Sequence, residues 1–127
     1  MKEYLPYIDG RLRIGWIEGI GHGVFSTEDI EKNTFVEVAP VIICQPEVMK
    51  DPNLSKYMVL WGDKIAMCLG WTMIYNHSDE NCCEFACNFH DGLMAILTTK
   101  DIRSGDQLTV NYGPQWFDSR NIEKIMM

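Results

Sequence analysis

Two turn signatures commit the middle of the chain to antiparallel hairpins. His90-Asp91-Gly92 lies between the β-prone stretches 84–89 and 93–98, and Gly62-Asp63-Lys64 lies between 57–61 and 65–69. An Asp-Gly pair supplies the positive backbone angles that a tight hairpin turn requires. The flanking stretches repeat the pattern. Residues 12–25 are rich in β-branched and aromatic side chains and broken by Gly15, Gly19, Gly21 and Gly23. They predict two short strands around a glycine-rich loop, Gly19-Ile20-Gly21-His22-Gly23. Residues 35–43 predict another strand, with Pro40 marking a strand end or edge. Residues 108–110 predict a last one, running into Asn111-Tyr112-Gly113-Pro114. Between these lies 45–56, where Pro46, Asp51-Pro52 and Asn53 predict a loop-rich surface insert. From Trp116 onward there is helical potential with weak amphipathicity. The fold class expected is mostly β.

A degenerate repeat runs through this pattern. Thr27-Glu28-Asp29-Ile30-Glu31-Lys32-Asn33 resembles Thr99-Lys100-Asp101-Ile102-Arg103-Ser104-Gly105, and each copy leads into an apolar strand. Asn33 and Gly105 hold matching places, and both tolerate the left-handed conformation of a turn. Two copies are too few for a solenoid. They predict the same short helical turn capping two strands.

With 127 residues, one domain spanning 1–127 is expected. Eleven basic against 18 acidic residues give a net charge of -7. Phosphate backbones need clustered Lys and Arg, so direct nucleic-acid binding is not expected, and basic peptides are the better partners. The first residues lack the apolar core of a secretory signal. The longest uncharged run, 65–78, is too short and too polar at its end to cross a bilayer, so no membrane partner is expected. Five cysteines with no signal point to free thiols in an intracellular, reducing compartment.

The chemistry-bearing residues are few. Tyr75-Asn76-His77-Ser78 follows 65–74, a stretch without a single charge. Asn and His beside buried apolar residues must find hydrogen-bond partners, either within the core or on a ligand. The glycine loop is either a tight connection between strands or a place where backbone approaches a ligand. It is not a dinucleotide fingerprint, because no amphipathic helix follows. Cys82, Cys83, Cys87 and His90 lack the spacing of a structural zinc site, and alternation along a strand would turn them to opposite faces, so no metal is expected. Trp61 and Trp71 read as core aromatics.

Taken in order, the Gly-x-Gly loop, Tyr57 before a central hairpin, Asn76-His77-Ser78 and the strand ending in Tyr112-Gly113 resemble the SET domain of lysine methyltransferases. Gly105-Asp106-Gln107-Leu108-Thr109-Val110-Asn111-Tyr112-Gly113 is similar to that family's Gly-Glu-Glu-Leu-Thr-x-x-Tyr-Gly. Gly21-His22-Gly23-Val24-Phe25 is similar to its first motif. The compact form resembles the minimal stand-alone type found in some viruses. The resemblance implies small curved β-sheets with short helices and a threaded, pseudoknot-like core in which the Asn-His-Ser and Tyr-Gly segments lie side by side. It implies S-adenosylmethionine as cofactor, held by Ile20, Gly21, His22, Gly23, Asn76 and His77 and covered by Trp116 or Phe117. It implies Tyr112 as the catalytic tyrosine and Tyr57 as a wall of the lysine channel. The substrate implied is a basic protein tail, with histone H3 foremost, and the place of action is then the nucleus or a host cell nucleus, otherwise the cytoplasm. Asp79, Glu80 and Glu84 are either a solvated face or the acidic flank of that channel. A homodimer through the Met- and Ile-rich end, 122–127, is a further expectation. Methylation of a non-histone protein, or a non-catalytic module binding a basic peptide or S-adenosylmethionine, are the alternatives. The family continues Asn-His-Ser with two residues and then Pro-Asn, where this chain has Asn81-Cys82.

Overall fold

The computed structural model describes residues 5–112. Trp116, Phe117, the expected helical tail and the apolar end at 122–127 lie outside them. Among the described residues ten strands form: β1 (Tyr7–Ile8), β2 (Leu12–Ile17), β3 (Gly21–Ser26), β4 (Phe35–Cys44), β5 (Met58–Trp61), β6 (Lys64–Cys68), β7 (Asn76–His77), β8 (Cys83–Asn88), β9 (Leu93–Thr98) and β10 (Gln107–Val110). One sheet has the order β5-β6-β4-β9-β8, with β1 also paired to β4, and the other has the order β2-β3-β10-β7. Both expected hairpins are present, β5–β6 around Gly62-Asp63 and β8–β9 around Asp91-Gly92. Strict alternation drives the second: Met94, Ile96 and Thr98 of β9 turn to the interior while their neighbours are half-buried. The insert becomes two 3-10 helices, Pro46–Lys50 and Leu54–Tyr57, the second opened by Asp51 Oδ1, which accepts the Asn53 and Leu54 amides at 2.8 and 3.0 Å. Among the described residues no helix is long and apolar enough to cross a membrane.

Three local expectations need correction. Pro40 is neither at a strand end nor on an edge; it sits inside the ten-residue β4. It is tolerated because β4 changes partner there. Pro40 pairs with Leu93 of β9, and the next residue, Val41, pairs with Cys68 of β6. Missing an N–H costs nothing at a position where one ladder ends and another begins. The glycine loop is shorter than expected, because Gly21 and Gly23 already belong to β3, paired with Ile17 and Gly15. The repeated segment is not a helical turn. Its two copies instead face each other, joined by an antiparallel bridge in which Ile30 and Ile102 exchange both backbone hydrogen bonds at 2.8 Å.

That pairing extends as a local two-fold. Asp29 Oδ1 accepts the Ser104 amide and Asp101 Oδ1 accepts the Lys32 amide, both at 2.9 Å. Asn33 and Gly105 both have positive φ, 65° and 90°. The strand entering one copy pairs with the strand leaving the other: β3 with β10 (Phe25 opposite Gln107) and β9 with β4 (Leu97 opposite Phe35). Each copy therefore carries the chain from one sheet to the other, in opposite directions. Ile30 and Ile102 are fully buried at the crossing, in one core with Leu12, Val24, Val36, Tyr75, Ile96, Leu108 and Val110. A smaller cluster of Trp61, Ala66, Cys68 and Met94 fills the space against β5 and β6, so Trp61 is a core aromatic as expected.

Candidate active site

The site is built at the far end of β10. β7 is only two residues long, and it pairs in parallel with β10, Asn76 beside Thr109 and His77 beside Val110. The Ser78 amide extends the ladder to the Val110 carbonyl at 2.9 Å. The Asn-His-Ser and Tyr112 segments thus lie side by side. On its other edge β10 pairs with β3, which brings the glycine segment to the same place.

Asn76 ties the three strands together. Its Nδ2 donates to the His22 carbonyl of β3 at 3.1 Å and to Gln107 Oε1 of β10 at 2.8 Å. Space here is tight. A Cβ on Gly23 would lie 2.7 Å from Gln107 Oε1 and 2.9 Å from Asn76 Nδ2, so any larger residue would push that hydrogen-bonded pair aside. His22 stands partly exposed with its ring edge-on to Trp16, centroids 5.1 Å apart. Ile20 remains in the turn before β3, its amide donating to the Ile17 carbonyl at 3.1 Å.

His77 has a different task. It is buried, and its Nδ1 accepts the Tyr112 amide at 3.0 Å. A ring nitrogen that accepts an N–H carries no proton, so the other nitrogen, Nε2, carries it and donates to Asp79 Oδ1 at 2.8 Å. The imidazole is a rigid strut between the turn after β7 and the backbone of Tyr112, and the two rings are 5.4 Å apart.

Tyr112 then points its hydroxyl at the Tyr75 carbonyl, 2.6 Å away. Burial, with the Tyr57 phenol close enough to add to it, pushes the Tyr112 phenol up to about 12. It is therefore a neutral hydroxyl at physiological pH. Since its proton goes to the carbonyl, its lone pairs are what it offers to anything else. Tyr57 is half-exposed at the end of its 3-10 helix, near enough to Tyr112 to raise its phenol further.

The Asn81-Cys82 turn is closed by substitutes. Asn81 Nδ2 donates to the Cys83 carbonyl at 2.9 Å, and Cys82 Sγ accepts the Thr109 amide of β10 at 3.4 Å. Cys87, on β8, packs instead against Met94 at 3.7 Å. Among the described residues no group of three or more His, Cys, Asp or Glu is placed to hold a metal ion. Of the residues singled out from sequence, Gly21, His22, Gly23, Asn76, His77 and Tyr112 come together, with Tyr57 near enough to act on the Tyr112 phenol; Ile20 stays in the turn before β3, and Trp116 lies outside the described residues. Gln107 and Tyr75 carry roles that the sequence reading did not assign, though both stand inside the two motifs, and that adjacency is the available signal. Asp79, expected as a solvated face or an acidic flank, instead accepts from His77, a role that its sequence position does not show.

Comparison with known proteins agrees with this geometry. Over 120 residues the chain is 26% identical to the "Histone-lysine N-methyltransferase, H3 lysine-37 specific" of Schizosaccharomyces pombe, covering 90% of this chain and 82% of that protein. A crystal structure of a Plasmodium falciparum protein, named as a candidate histone methyltransferase, superimposes with a TM-score of 0.73 at 27% identity, covering 87% of this chain and 99% of that one. The family model of the SET domain matches residues 21–113, a span that contains the Gly21–Gly23 segment, Tyr57, Asn76, His77 and Tyr112, and the chain belongs to the SET domain family.

Proposed function

We propose that the protein is an S-adenosylmethionine-dependent protein lysine N-methyltransferase acting on a basic protein tail such as that of histone H3. The observation that carries this reading is the pairing of the Tyr112 hydroxyl with the Tyr75 carbonyl at 2.6 Å, one residue before Asn76, which binds the His22 carbonyl. The residues present fit the cofactor. Among the described residues Asn76 Oδ1 accepts no hydrogen bond while Nδ2 is fully engaged, which suits an ammonium group at the methionyl end. The Gly21–Gly23 backbone reaches the same place, with the His22 carbonyl held by Asn76 Nδ2. When bound, the sulfonium supplies an activated methyl group.

The chain's own residues supply position and dielectric. The Tyr75 carbonyl and the Tyr112 oxygen present two acceptors a short distance apart, which orient a polarised methyl through weak C–H···O contacts. Tyr57 and Tyr112 wall a channel in which an ammonium is disfavoured, so a lysine side chain gives up its proton to water before reaching the methyl. Because Tyr112 holds its proton against Tyr75, it acts as a fixed acceptor and not as a phenolate base. Holding the reacting atoms in line accounts for most of the acceleration.

A histone substrate places the work in the nucleus, or in a host nucleus for a viral protein. Glu80 and Glu84, both exposed or nearly so near the site, favour basic residues beside the target lysine. Asp79 also holds the His77 strut, so replacing it would disturb the strut as well as the flank. Neutralising Glu80 and Glu84 weakens basic-peptide binding several-fold and leaves cofactor binding intact; unchanged peptide affinity counts against the acidic flank. A homodimer remains part of the proposal, and sedimentation that finds only monomer at working concentration removes it.

The test is transfer from labelled S-adenosylmethionine to histones and to a mixed protein extract, with Tyr112→Phe in parallel. Label on lysine that drops roughly 100-fold or more in the variant is the expected result. Cofactor binding by calorimetry with no transfer to either pool would make the protein a non-catalytic binding module.

A further inference from the structure

We propose that Glu37 is a positioning residue for the transfer reaction, acting through Tyr75, whose segment it braces so that the Tyr75 carbonyl meets the Tyr112 hydroxyl. This rests on the methyltransferase reading and deepens it by naming what lies behind the pore.

Glu37 sits on β4, away from the strands that form the site, and is completely buried. A buried carboxyl is costly unless it is paired. Its Oε2 accepts the Trp71 amide at 2.6 Å. Its Oε1 finds no aligned partner, and neither do Thr72 Oγ1 and the Tyr75 hydroxyl, all three on side chains with no exposed surface. These orphans are neighbours. Burial pushes the Glu37 carboxyl up to about 7, with the Trp71 amide and then the Tyr75 phenol the main groups opposing that rise. Burial likewise raises the Tyr75 phenol, with Glu37 the next largest influence. The segment lies directly on the carboxyl. A Cβ on Gly70 would come within 2.5 Å of Glu37 Oε2 and 2.8 Å of the Ala39 Cβ.

The chain from Gly70 to Tyr75 is therefore pinned at its start by Glu37 and at its end by the buried Tyr75 ring beside the same carboxyl. Its last carbonyl is the one that receives the Tyr112 hydroxyl. The next residue is Asn76. An apolar side chain of similar volume would fill this space without the cost of burying an acid. It would offer the Trp71 amide no acceptor, and the segment would be free to shift. A shift of well under an ångström at the Tyr75 carbonyl acts directly on the geometry of the pore.

Three variants test this: Glu37→Gln, Glu37→Leu and Tyr75→Phe. Two readouts are taken, and kcat is expressed per cofactor site counted by calorimetry, so that partial misfolding is removed. The first is the split between kcat and KM. Leu at 37 and Phe at 75 lower kcat roughly tenfold or more with KM changed less than about threefold, and Gln at 37, which keeps an acceptor, restores most of kcat. The second needs no activity: 3-fluorotyrosine is placed at position 112, and its fluorine resonance moves in Glu37→Leu and Tyr75→Phe and stays in Glu37→Gln. If kcat per site and the resonance both match the parent in the Leu and Phe variants, Glu37 is a structural acid only and the proposal is overturned. If the parent protein transfers no methyl at all, the methyltransferase reading fails, and the fluorine arm still decides whether Glu37 and Tyr75 set the placement of Tyr112. If Glu37→Leu fails to fold, Tyr75→Phe carries both readouts.

Discussion

The two copies of the repeated turn have nearly the same backbone and lead to opposite ends of the protein's work. Thr27–Asn33 delivers the chain into β4, a long strand that changes partner midway and leads to the insert. Thr99–Gly105 delivers it into β10, four residues that end at Val110, two before Tyr112. Each aspartate holds the other copy's backbone, so the two turns brace one another. The difference begins at the third residue of the strand that follows. β4 places Glu37 there, a buried acid, while β10 places Thr109, whose amide binds Cys82. The frame is symmetric and the function is not. Two similar turns locked about a two-fold set the relation of the sheets, and strand length and single side chains decide which arm carries chemistry.

The comparison is broken most severely at its centre. Ile30→Ala and Ile102→Ala each remove a fully buried side chain and each cost about 2–5 kcal/mol in chemical denaturation. Equal losses confirm a shared crossing; losses differing by more than about 2 kcal/mol would show that one copy is the support and the other a passenger. Gly105→Ala is the next largest effect, about 1–2 kcal/mol, and arises from φ alone, because a Cβ there meets nothing within 4 Å. Asn33→Gly, at the matched place, changes stability by no more than about 0.5 kcal/mol. The pair also sharpens the functional side: Gly105→Ala weakens cofactor binding because it feeds β10, and Asn33→Gly leaves it unchanged. Asp29→Ala and Asp101→Ala are smaller, about 1 kcal/mol each, since both carboxylates are solvated and each holds one amide.

The pH dependence of stability separates the two strands. The Glu37 carboxyl ordinarily titrates near 4.5 and is raised to about 7 in the folded protein, principally by burial. The folded state then binds more protons than the unfolded state between those values, so stability is fully present below about 4.5 and is lost as pH rises through about 7. Glu37→Gln flattens that part of the profile in thermal melts taken across the window. Thr109→Val on β10 leaves its slope intact. A slope that survives Glu37→Gln would assign the titration to another group.

Much of this was legible beforehand for local reasons. Asp91-Gly92 and Gly62-Asp63 fix their hairpins because the turn chemistry and the strands it joins are contiguous. Asn76, His77 and Tyr112 stand out because polar residues at the end of apolar runs must be partnered. Pro40 departs from the strand-end expectation for a physical reason as well: proline excludes one hydrogen bond, and sequence does not show that β4 has no need of it at the point where its partner changes. Gln107 looked like an ordinary strand residue because its one distinguishing bond, to Asn76, spans 31 positions.

What the sequence by itself determined was the set of short strands, the turns between them, the likeness of the two turn segments and the identity of the tyrosine at the end of the last strand. These follow from backbone preference and alternation, which act over a few residues. The tertiary structure alone decided that the two turn segments face each other, that β7 runs parallel beside β10, that His77 presents its unprotonated nitrogen to Tyr112, and that Glu37 lies under the Tyr75 segment. Each of these depends on groups far apart in the chain meeting where water is excluded, and there a single misplaced polar atom costs as much as a whole turn gains.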